Sequence, residues 1–483
     1  MFMKTDVRTK DGAITVAVRS EVRTVFIRSK AGIMYSNPTQ GMEVCLSRIV
    51  GNGPRLTISR DGSVAPVAPM LTSRRLAVRH LDTDFGMSAR KFGCCDDDVN
   101  SMHRSMCWVL LVAQAFALCP VQGITGRRAE ELRFTWRSVR VFYTSIVILA
   151  LLVSLGFSFT WFLVVGFTFP ASGALMFYGT GLTCCALFLN LGTKWPELAL
   201  LWQRTENSQI RYGYPTNLSL KIRTLTVIIL TLALVEYLLS NANRMYIASQ
   251  CSTGGFDLVR RYIMVTHRHV FEVVGYSSGM AVFTAVVSII ASFYWSYADV
   301  FVMLISIALA SRFKLLNSCL KKVKGKAKGF WRSVREDYND LSHLTSCVDS
   351  RVSSIVLLCF ATNLFYICQQ LLNSMNNSVS TIQATYFYLS FGYLLLRTMA
   401  MALSAASIYD ESRAAKDVLY AVPAHNYQVE VHRFLVQVST DNISLTGLNF
   451  FPVTRTVLLT VSNLHCSYQN ILAILMWYII LVY

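Results

Sequence analysis

Two long apolar stretches joined by a strongly basic loop constrain the fold of this chain more than any other feature. The first stretch covers 299–310 and the second ends at Asn373. The loop between them carries five lysines, namely Lys321, Lys322, Lys324, Lys326 and Lys328. Cytoplasmic loops of membrane proteins carry an excess of lysine and arginine. The pattern therefore predicts two membrane spans with a cytoplasmic loop between them, and this orients the rest of the chain.

The composition indicates a protein that crosses a membrane several times. Of the 483 residues, 53% are hydrophobic and only 15% are charged, and the mean hydropathy is +0.43. The net charge of +18 favours basic cytoplasmic loops that lie against anionic lipid over nucleic-acid binding. The spacing of the cysteines and histidines indicates neither a metal site nor a cofactor.

The chain divides into three predicted regions. Residues 1–98 are polar and basic without periodicity, which predicts a disordered segment or a misassigned gene start, and the first twenty residues lack the apolar core of a signal peptide. Residues 99–140 are predicted to be a cytoplasmic or interfacial region. Its apolar part, 106–121, is too short to cross the bilayer, and five arginines follow within 127–140. Residues 141–483 form the predicted transmembrane domain.

Seven apolar segments of that domain are long enough to cross about 30 Å of hydrocarbon. They are 141–166, 174–192, 225–242, 280–311, 352–372, 385–408 and 451–483. The loops 194–224 and 312–351 hold five and ten lysines and arginines, whereas the short loops near Pro170 and Asn376 hold none. We therefore predict an all-α membrane protein with seven transmembrane helices, a cytoplasmic N-terminus and an extracellular C-terminus. This orientation is opposite to that of a G-protein-coupled receptor.

Ten short motifs occur in a fixed order between about 103 and 460. They are LLVAQ at 110–114, CPV at 119–121, FTWRS at 134–138, TKWP at 193–196, LVEYLLS at 234–240, DVFVMLIS at 299–306, WRSVREDY at 331–338, NLFYIC at 363–368, DES at 410–412 and LTGLNFFPVTR at 445–455. In this order and spacing, the chain resembles the insect gustatory receptor family, and within it the sugar-receptor subfamily.

The resemblance implies a tetrameric ligand-gated, non-selective cation channel in the plasma membrane of sensory neurons. Each subunit would bind a small tastant, here a sugar, among the outer halves of its helices. The tetramer would be a homomer or would include related subunits. The last helix would line the pore, which assigns Arg455, Tyr468 and Ile474 to the pore or its gate.

The end of the chain departs from the family pattern. Family members close the seventh helix with Thr-Tyr, five further residues and then Gln-Phe. Here Ser467 and Tyr468 occupy the first pair of positions, and Ile474 and Leu475 occupy the second. The resemblance fades from Val461 onward, and one hypothesis is that the tail is a translated intron. Sequencing cDNA across the codons after residue 460 decides this, and a genuine tail would alter the pore lining.

Ionisable side chains inside spans are costly and usually face protein or water. Glu236 lies in the outer half of the third span. Together with Tyr237 it would offer a sugar a carboxylate and an aromatic ring. The alternative is that Glu236 pairs with a hydroxyl group of a neighbouring helix.

Trp295 and Asp299 lie one turn apart on the fourth span and share a face. Trp295 is a candidate stacking surface for a sugar ring. Asp299 is deeper and is predicted to pair with Arg397 rather than to contact the ligand.

The fifth and sixth spans carry further polar candidates for the pocket. A stripe at three- and four-residue steps on the fifth span comprises Asn363, Tyr366, Gln370 and Asn373. It either lines a hydrated pocket or forms hydrogen bonds between helices. Tyr386 and Ser390, one turn apart on the sixth span, would close the pocket.

Two neighbouring acids, Glu336 and Asp337, follow the basic loop. Such a pair can serve acid–base chemistry, but here we predict salt bridges with Arg332 and Arg335. Nothing else in the sequence points to an enzyme.

Two alternatives to a sugar receptor stay open. One is a receptor of the same family that recognises another tastant, or a co-subunit without a ligand of its own. The other is a secondary transporter, whose halves would show an internal repeat and helices broken by glycine or proline. The two halves of this chain show no such repeat.

Overall fold

The computed structural model describes residues 100–166, 168–250, 255–322, 328–374 and 381–456. Within these ranges the regular structure is helical, with two isolated β-bridges, which confirms the predicted all-α class. The α-helices are α1 (Met102–Ala115), α2 (Val139–Val165), α3 (Phe169–Ser208), α4 (Leu218–Ser249), α5 (Gly255–Thr266), α6 (Arg268–Val274), α7 (Ser278–Lys322), α8 (Lys328–Ser374), α9 (Thr381–Arg413), α10 (Ala415–Tyr420) and α11 (Val429–Thr440). The predicted segment 1–98 and most of the predicted seventh span, with Tyr468 and Ile474, lie outside the described residues.

Helix α7 forms the core of the bundle. It packs against α2, α3, α4, α8 and α9. Its middle segment is enclosed on all sides, so that Phe301, Leu304 and Leu309 have no exposed surface. A helix that is apolar around its whole circumference is stable only when other helices surround it.

Five segments of the described chain are long and apolar enough to cross a membrane. They are Val139–Val165, Pro170–Ser208, Leu218–Ser249, Gly329–Leu372 and Gln383–Tyr420. These segments include the first, second, third, fifth and sixth predicted spans. The fourth predicted span falls within α7, which is not one of the five, and the seventh is mostly undescribed. The count of seven spans and their orientation therefore stay predictions.

Several helices extend well beyond the predicted spans. The second span was predicted at 174–192, but α3 continues to Ser208 and has 40 residues. Hydropathy drops at Lys194, yet the extension still buries one face, where Trp195 and Trp202 are each 1% exposed. A helix can extend beyond the bilayer where other parts of the protein pack against its apolar face, because such packing supplies most of its stability.

The basic-loop ends of α7 and α8 are joined to neighbouring helices by ion pairs. Arg312 of α7 pairs with Glu206 of α3, and both side chains are almost fully buried. Arg332 pairs with Glu336 at 2.9 Å, as predicted. Asp337 is held instead by Arg211 and by the Tyr212 hydroxyl.

The predicted pairing of Arg335 with the Glu336–Asp337 acids is wrong. The Arg335 Nε atom lies 2.9 Å from Glu430 Oε2 on α11. Hydrogen bonds from Arg335 and Arg433 hold the pKa of Glu430 below its usual value. Glu336 and Asp337 lie one and two residues after Arg335 on the same helix, spacings at which helical side chains do not face each other. Arg335 therefore pairs with an acid of α11, which approaches it only in the folded chain.

The connection between α1 and α2 begins with a buried turn at 117–121. Ala117 and Cys119 have φ angles of 61° and 51°, in the left-handed region. The Gln114 Nε2 atom donates to the carbonyl oxygens of Cys119 and Val121. Within the apolar segment 106–121, Met106, Val109 and Leu118 have no exposed surface, whereas Trp108 and Leu111 are exposed. One face of this segment therefore packs against the bundle.

Gly123→Ala is expected to destabilise this connection. The φ angle of Gly123 is +81°, and a Cβ atom there would lie 2.1 Å from the backbone carbonyl oxygen of Glu131. The free energy of unfolding should fall by more than about 1 kcal/mol. Both the positive φ angle and the nearby carbonyl oxygen exclude a Cβ atom at this position. The measurement is the thermal unfolding midpoint of the detergent-solubilised protein. Gly279→Ala is the matched control, since a Cβ atom there meets nothing within 4 Å. Equal midpoints for the two variants would contradict the described approach.

Candidate ligand-binding cavity

A cavity of about 520 Å³ lies between α3, α4, α7, α8 and α9, with the α5–α6 connection at its side. Its size is typical of small-molecule sites. Six of the seven predicted ligand residues line it, namely Glu236, Tyr237, Trp295, Tyr366, Gln370 and Tyr386. The seventh, Asn363, is fully buried and donates and accepts hydrogen bonds beneath the cavity. The structure thus brings these residues together, while ligand contact by each stays a prediction.

The Glu236 carboxylate links α4 to α9 and also lines the cavity. Its Oε1 atom accepts hydrogen bonds from Ser390 Oγ at 2.9 Å and from Tyr386 Oη at 3.4 Å. A carboxylate offers about four acceptor sites. Two hydroxyl partners therefore leave capacity for the hydroxyl groups of a ligand, and the two predicted roles of Glu236 are compatible.

The indole ring of Trp295 is tightly packed. The Tyr366 ring lies 4.4 Å from it between centroids, at an angle of 32°. The Arg397 guanidinium group lies over the indole at 4.4 Å, and Trp295 Nε1 donates to Asn363 Oδ1 at 3.1 Å. These contacts favour a packing role over the predicted stacking of a sugar ring on Trp295.

A buried ion pair lies beneath the cavity. Arg397 Nε is 2.9 Å from Asp299 Oδ2, and the two side chains are 2% and 0% exposed. Asn363 donates to both carboxylate oxygens of Asp299 and accepts from Arg397. Arg397 also lines the cavity. The predicted pairing of Asp299 with Arg397 is confirmed, and it joins α7, α8 and α9 at one point.

The Tyr366 hydroxyl group has no hydrogen-bond partner among the described residues, although it is buried. An unsatisfied buried hydroxyl costs about 1–3 kcal/mol. Because Tyr366 lines the cavity, a bound polar molecule would supply the missing partner. The side chain of Asn373, the last member of the predicted polar stripe, lies outside the described part.

Sequence reasoning missed one end of the cavity, where Arg244, Thr266, His267 and His269 meet. Segment 243–279 lies between the third and fourth predicted spans and reads as a loop, so the sequence did not predict that its residues line a pocket. Burial lowers the pKa of His267 to about 4 and that of His269 to about 3, with further contributions from Arg244 and from His267 respectively. Both histidines are therefore neutral at pH 7. The sequence feature that indicates their burial is the apolar pair Val270 and Phe271, which directly follows His269.

Of the predicted pore residues, only Arg455 is described. Its Nε atom lies 2.6 Å from Asp410 Oδ2, and its side chain is 70% exposed. Asp410 belongs to the DES motif and Arg455 ends the LTGLNFFPVTR motif. The pair joins two motifs that are distant in sequence, and the pore assignment stays a prediction.

Comparison with known proteins gives consistent matches over most of the chain. A family model described as trehalose receptor matches residues 90–476. The gustatory receptor for sugar taste 64f of Drosophila melanogaster is 33% identical over 377 residues, which cover 77% of this chain and 80% of that protein. The gustatory receptor 5a for trehalose of the same organism is 32% identical over 379 residues, covering 77% and 84%.

The fold is similar to that of a solved receptor. The insect olfactory receptor OR5 from Machilis hrabei aligns with a TM-score of 0.59, covering 78% of this chain and 99% of that one. The sequence identity is 15%, so the likeness shows a shared fold only.

Proposed function

Because the chain belongs to the trehalose receptor family, as the motif resemblance to sugar gustatory receptors predicted, we propose that it binds a sugar in this cavity and thereby opens a cation-conducting pore. It is a gustatory receptor and not an enzyme. The names of its relatives, for sugar taste and for trehalose, support a sugar as the ligand.

One observation carries this proposal: the cavity offers polar groups that a sugar can bind, on a scaffold that is already formed. The Glu236 carboxylate is fixed by Ser390 and Tyr386, and the Tyr366 hydroxyl group is buried without a partner in the described chain. Tyr237 adds an aromatic ring. Sugars need hydrogen-bonding partners for several hydroxyl groups and an apolar surface for their C–H groups, and this lining supplies both.

The proposal includes a cavity that faces the outside of the cell. The basic loop before α8 favours a cytoplasmic position for Lys328. Gln370, which lines the cavity, lies 42 residues further along the same helix, or about 63 Å at the rise of an α-helix. That distance exceeds the thickness of a bilayer with its headgroups.

Around this site we propose seven transmembrane helices, with the N-terminus inside and the C-terminus outside. Four subunits would surround a pore lined by the last helix, in the plasma membrane of sensory neurons. Arg455, Tyr468 and Ile474 remain our candidates for the pore or gate. Sugar would favour opening to the extent that it binds the open state more tightly than the closed state.

Whole-cell recording with a sugar panel tests the proposal. Cells that express the chain should show a sugar-evoked cation current that untransfected cells lack. A current that appears only with a related sugar receptor would assign the chain to a co-subunit. The absence of a current under both conditions, with normal surface expression, would contradict the proposal for the chain with its own C-terminal sequence. In that case the double variant Ile474→Gln, Leu475→Phe restores the family-type ending and tests whether the tail is the cause.

A further inference from the structure

The charges that line the cavity are not balanced. Its charged side chains within the described chain are Glu236, Arg244 and Arg397. Arg397 is paired with Asp299, and Glu236 is held by two hydroxyl groups. Arg244 is half-buried, and the structure records no hydrogen bond or ion pair for it among the residues it describes. It therefore stands in the cavity as an uncompensated cation.

The acids near this end of the cavity have other partners. Asp257 on α5 pairs with Arg261 at 2.7 Å. Glu272 on α6 pairs with Arg268 at 3.1 Å and also accepts a hydrogen bond from an indole nitrogen. The adjoining sequences 251–254 and 375–380 contain no acidic residue.

Glu236 forms no ion pair with Arg244 within the described chain. Eight residues separate the two on α4, which corresponds to about 12 Å along the helix axis. A partly buried charge is stabilised further by a partner of opposite sign. We use the term Arg244 end for the part of the cavity formed by Arg244, Thr266, His267 and His269.

Neutral polar groups line the same end of the cavity as Arg244. The His267 and His269 rings lie 6.0 Å apart, and each side chain is 5% exposed. His269 Nε2 is buried and has no hydrogen-bond partner within the described chain. A guanidinium group matches the flat, two-oxygen geometry of a carboxylate. The neutral polar groups that line the same end can donate further hydrogen bonds.

We propose that the Arg244 end of the cavity binds the carboxylate of an acidic saccharide, such as an aldonic or uronic acid. The Glu236 end would then hold hydroxyl groups of the same molecule. The inference rests on the proposed function, in that the cavity takes a saccharide. The inference extends the proposed ligands from neutral sugars to acidic saccharides, because a neutral sugar leaves Arg244 without a counter-charge.

The test compares two probes with the same glucosyl unit and polyol chain. Maltobionate carries a carboxylate where maltitol carries a CH₂OH group. Binding of each probe to the purified full-length protein at pH 7 is measured by isothermal titration calorimetry. This measurement does not depend on whether the protein conducts a current. The wild type should bind maltobionate at least about tenfold more tightly than maltitol, because hydrogen bonds to charged groups are stronger. Arg244→Gln should remove this preference while changing maltitol affinity less than about threefold.

Two further variants keep the inference falsifiable. Arg244→Lys retains the charge and should keep a preference for maltobionate even if Arg244→Gln folds poorly. Arg268→Gln removes an exposed arginine outside the cavity and should leave the preference unchanged. Equal affinity of the wild type for both probes, or an equal loss of both in Arg244→Gln, would overturn the inference. Binding of both probes without any sugar-evoked current would instead count against the proposed gating and leave the inference intact.

Discussion

Asp299→Ala is expected to prevent most of the protein from reaching the cell surface in a folded form. The substitution leaves the Arg397 guanidinium group, which is 2% exposed, as an unpaired charge in the protein interior. Removing one partner of a buried ion pair typically costs about 3–5 kcal/mol, a large fraction of the total stability of a protein. The measurement is the yield of monodisperse, detergent-solubilised protein, together with surface labelling of intact cells.

The matched control is Asp257→Ala, which removes the same type of side chain from an exposed pair. Asp257 and Arg261 are 37% and 42% exposed, and such pairs contribute about 0.2–1 kcal/mol. This variant should express like the wild type. A wild-type yield of Asp299→Ala would contradict the assignment of Asp299 as the partner of Arg397.

A double variant separates the stability of the pair from its part in the response. Asp299→Leu with Arg397→Met replaces both charges by apolar groups of similar size, which is often neutral or stabilising for a buried pair. We expect its yield to recover relative to Asp299→Ala. Sugar responses should remain impaired, because Arg397 lines the cavity and contacts Trp295.

The parts of this fold that the sequence predicted are those set by desolvation. Long apolar stretches must become helices in a bilayer because no water is present to satisfy their backbone groups. The same reasoning predicted the Asp299–Arg397 pair, since an acid and a base in apolar spans stabilise each other. Glu236 and Tyr386 came together in one cavity because each is a polar group that faces protein rather than lipid.

The parts that the sequence did not predict depend on which helices meet outside the spans. Asp337 pairs with Arg211, which is 126 residues away, and no local pattern encodes that approach. His267 and His269 are buried by tertiary packing of a segment that reads as a loop. The family match extends to residue 476, beyond Val461, where the motif resemblance fades.

Glu236→Gln is expected to raise the sugar concentration for half-maximal response by about 10- to 150-fold. The substitution keeps the shape of the side chain and removes its charge. A hydrogen bond to a charged group contributes about 1.5–3 kcal/mol, and each 1.4 kcal/mol corresponds to a factor of ten. The measurement is the dose–response curve of the sugar-evoked current, normalised to surface expression.

Two comparisons separate ligand contact from the link between helices. Glu272→Gln makes the same chemical change at a half-exposed acid that pairs with Arg268 outside the cavity lining, and its curve should match the wild type. Ser390→Ala removes the closest hydroxyl partner of Glu236 but keeps the carboxylate. If Glu236 only links α4 to α9 by hydrogen bonds, Ser390→Ala and Glu236→Gln should both lower the thermal unfolding midpoint. Both variants should then leave the sugar concentration for half-maximal response unchanged. If Glu236 contacts the sugar, Glu236→Gln should shift the curve much further than Ser390→Ala, because only the former removes the charged acceptor from the ligand.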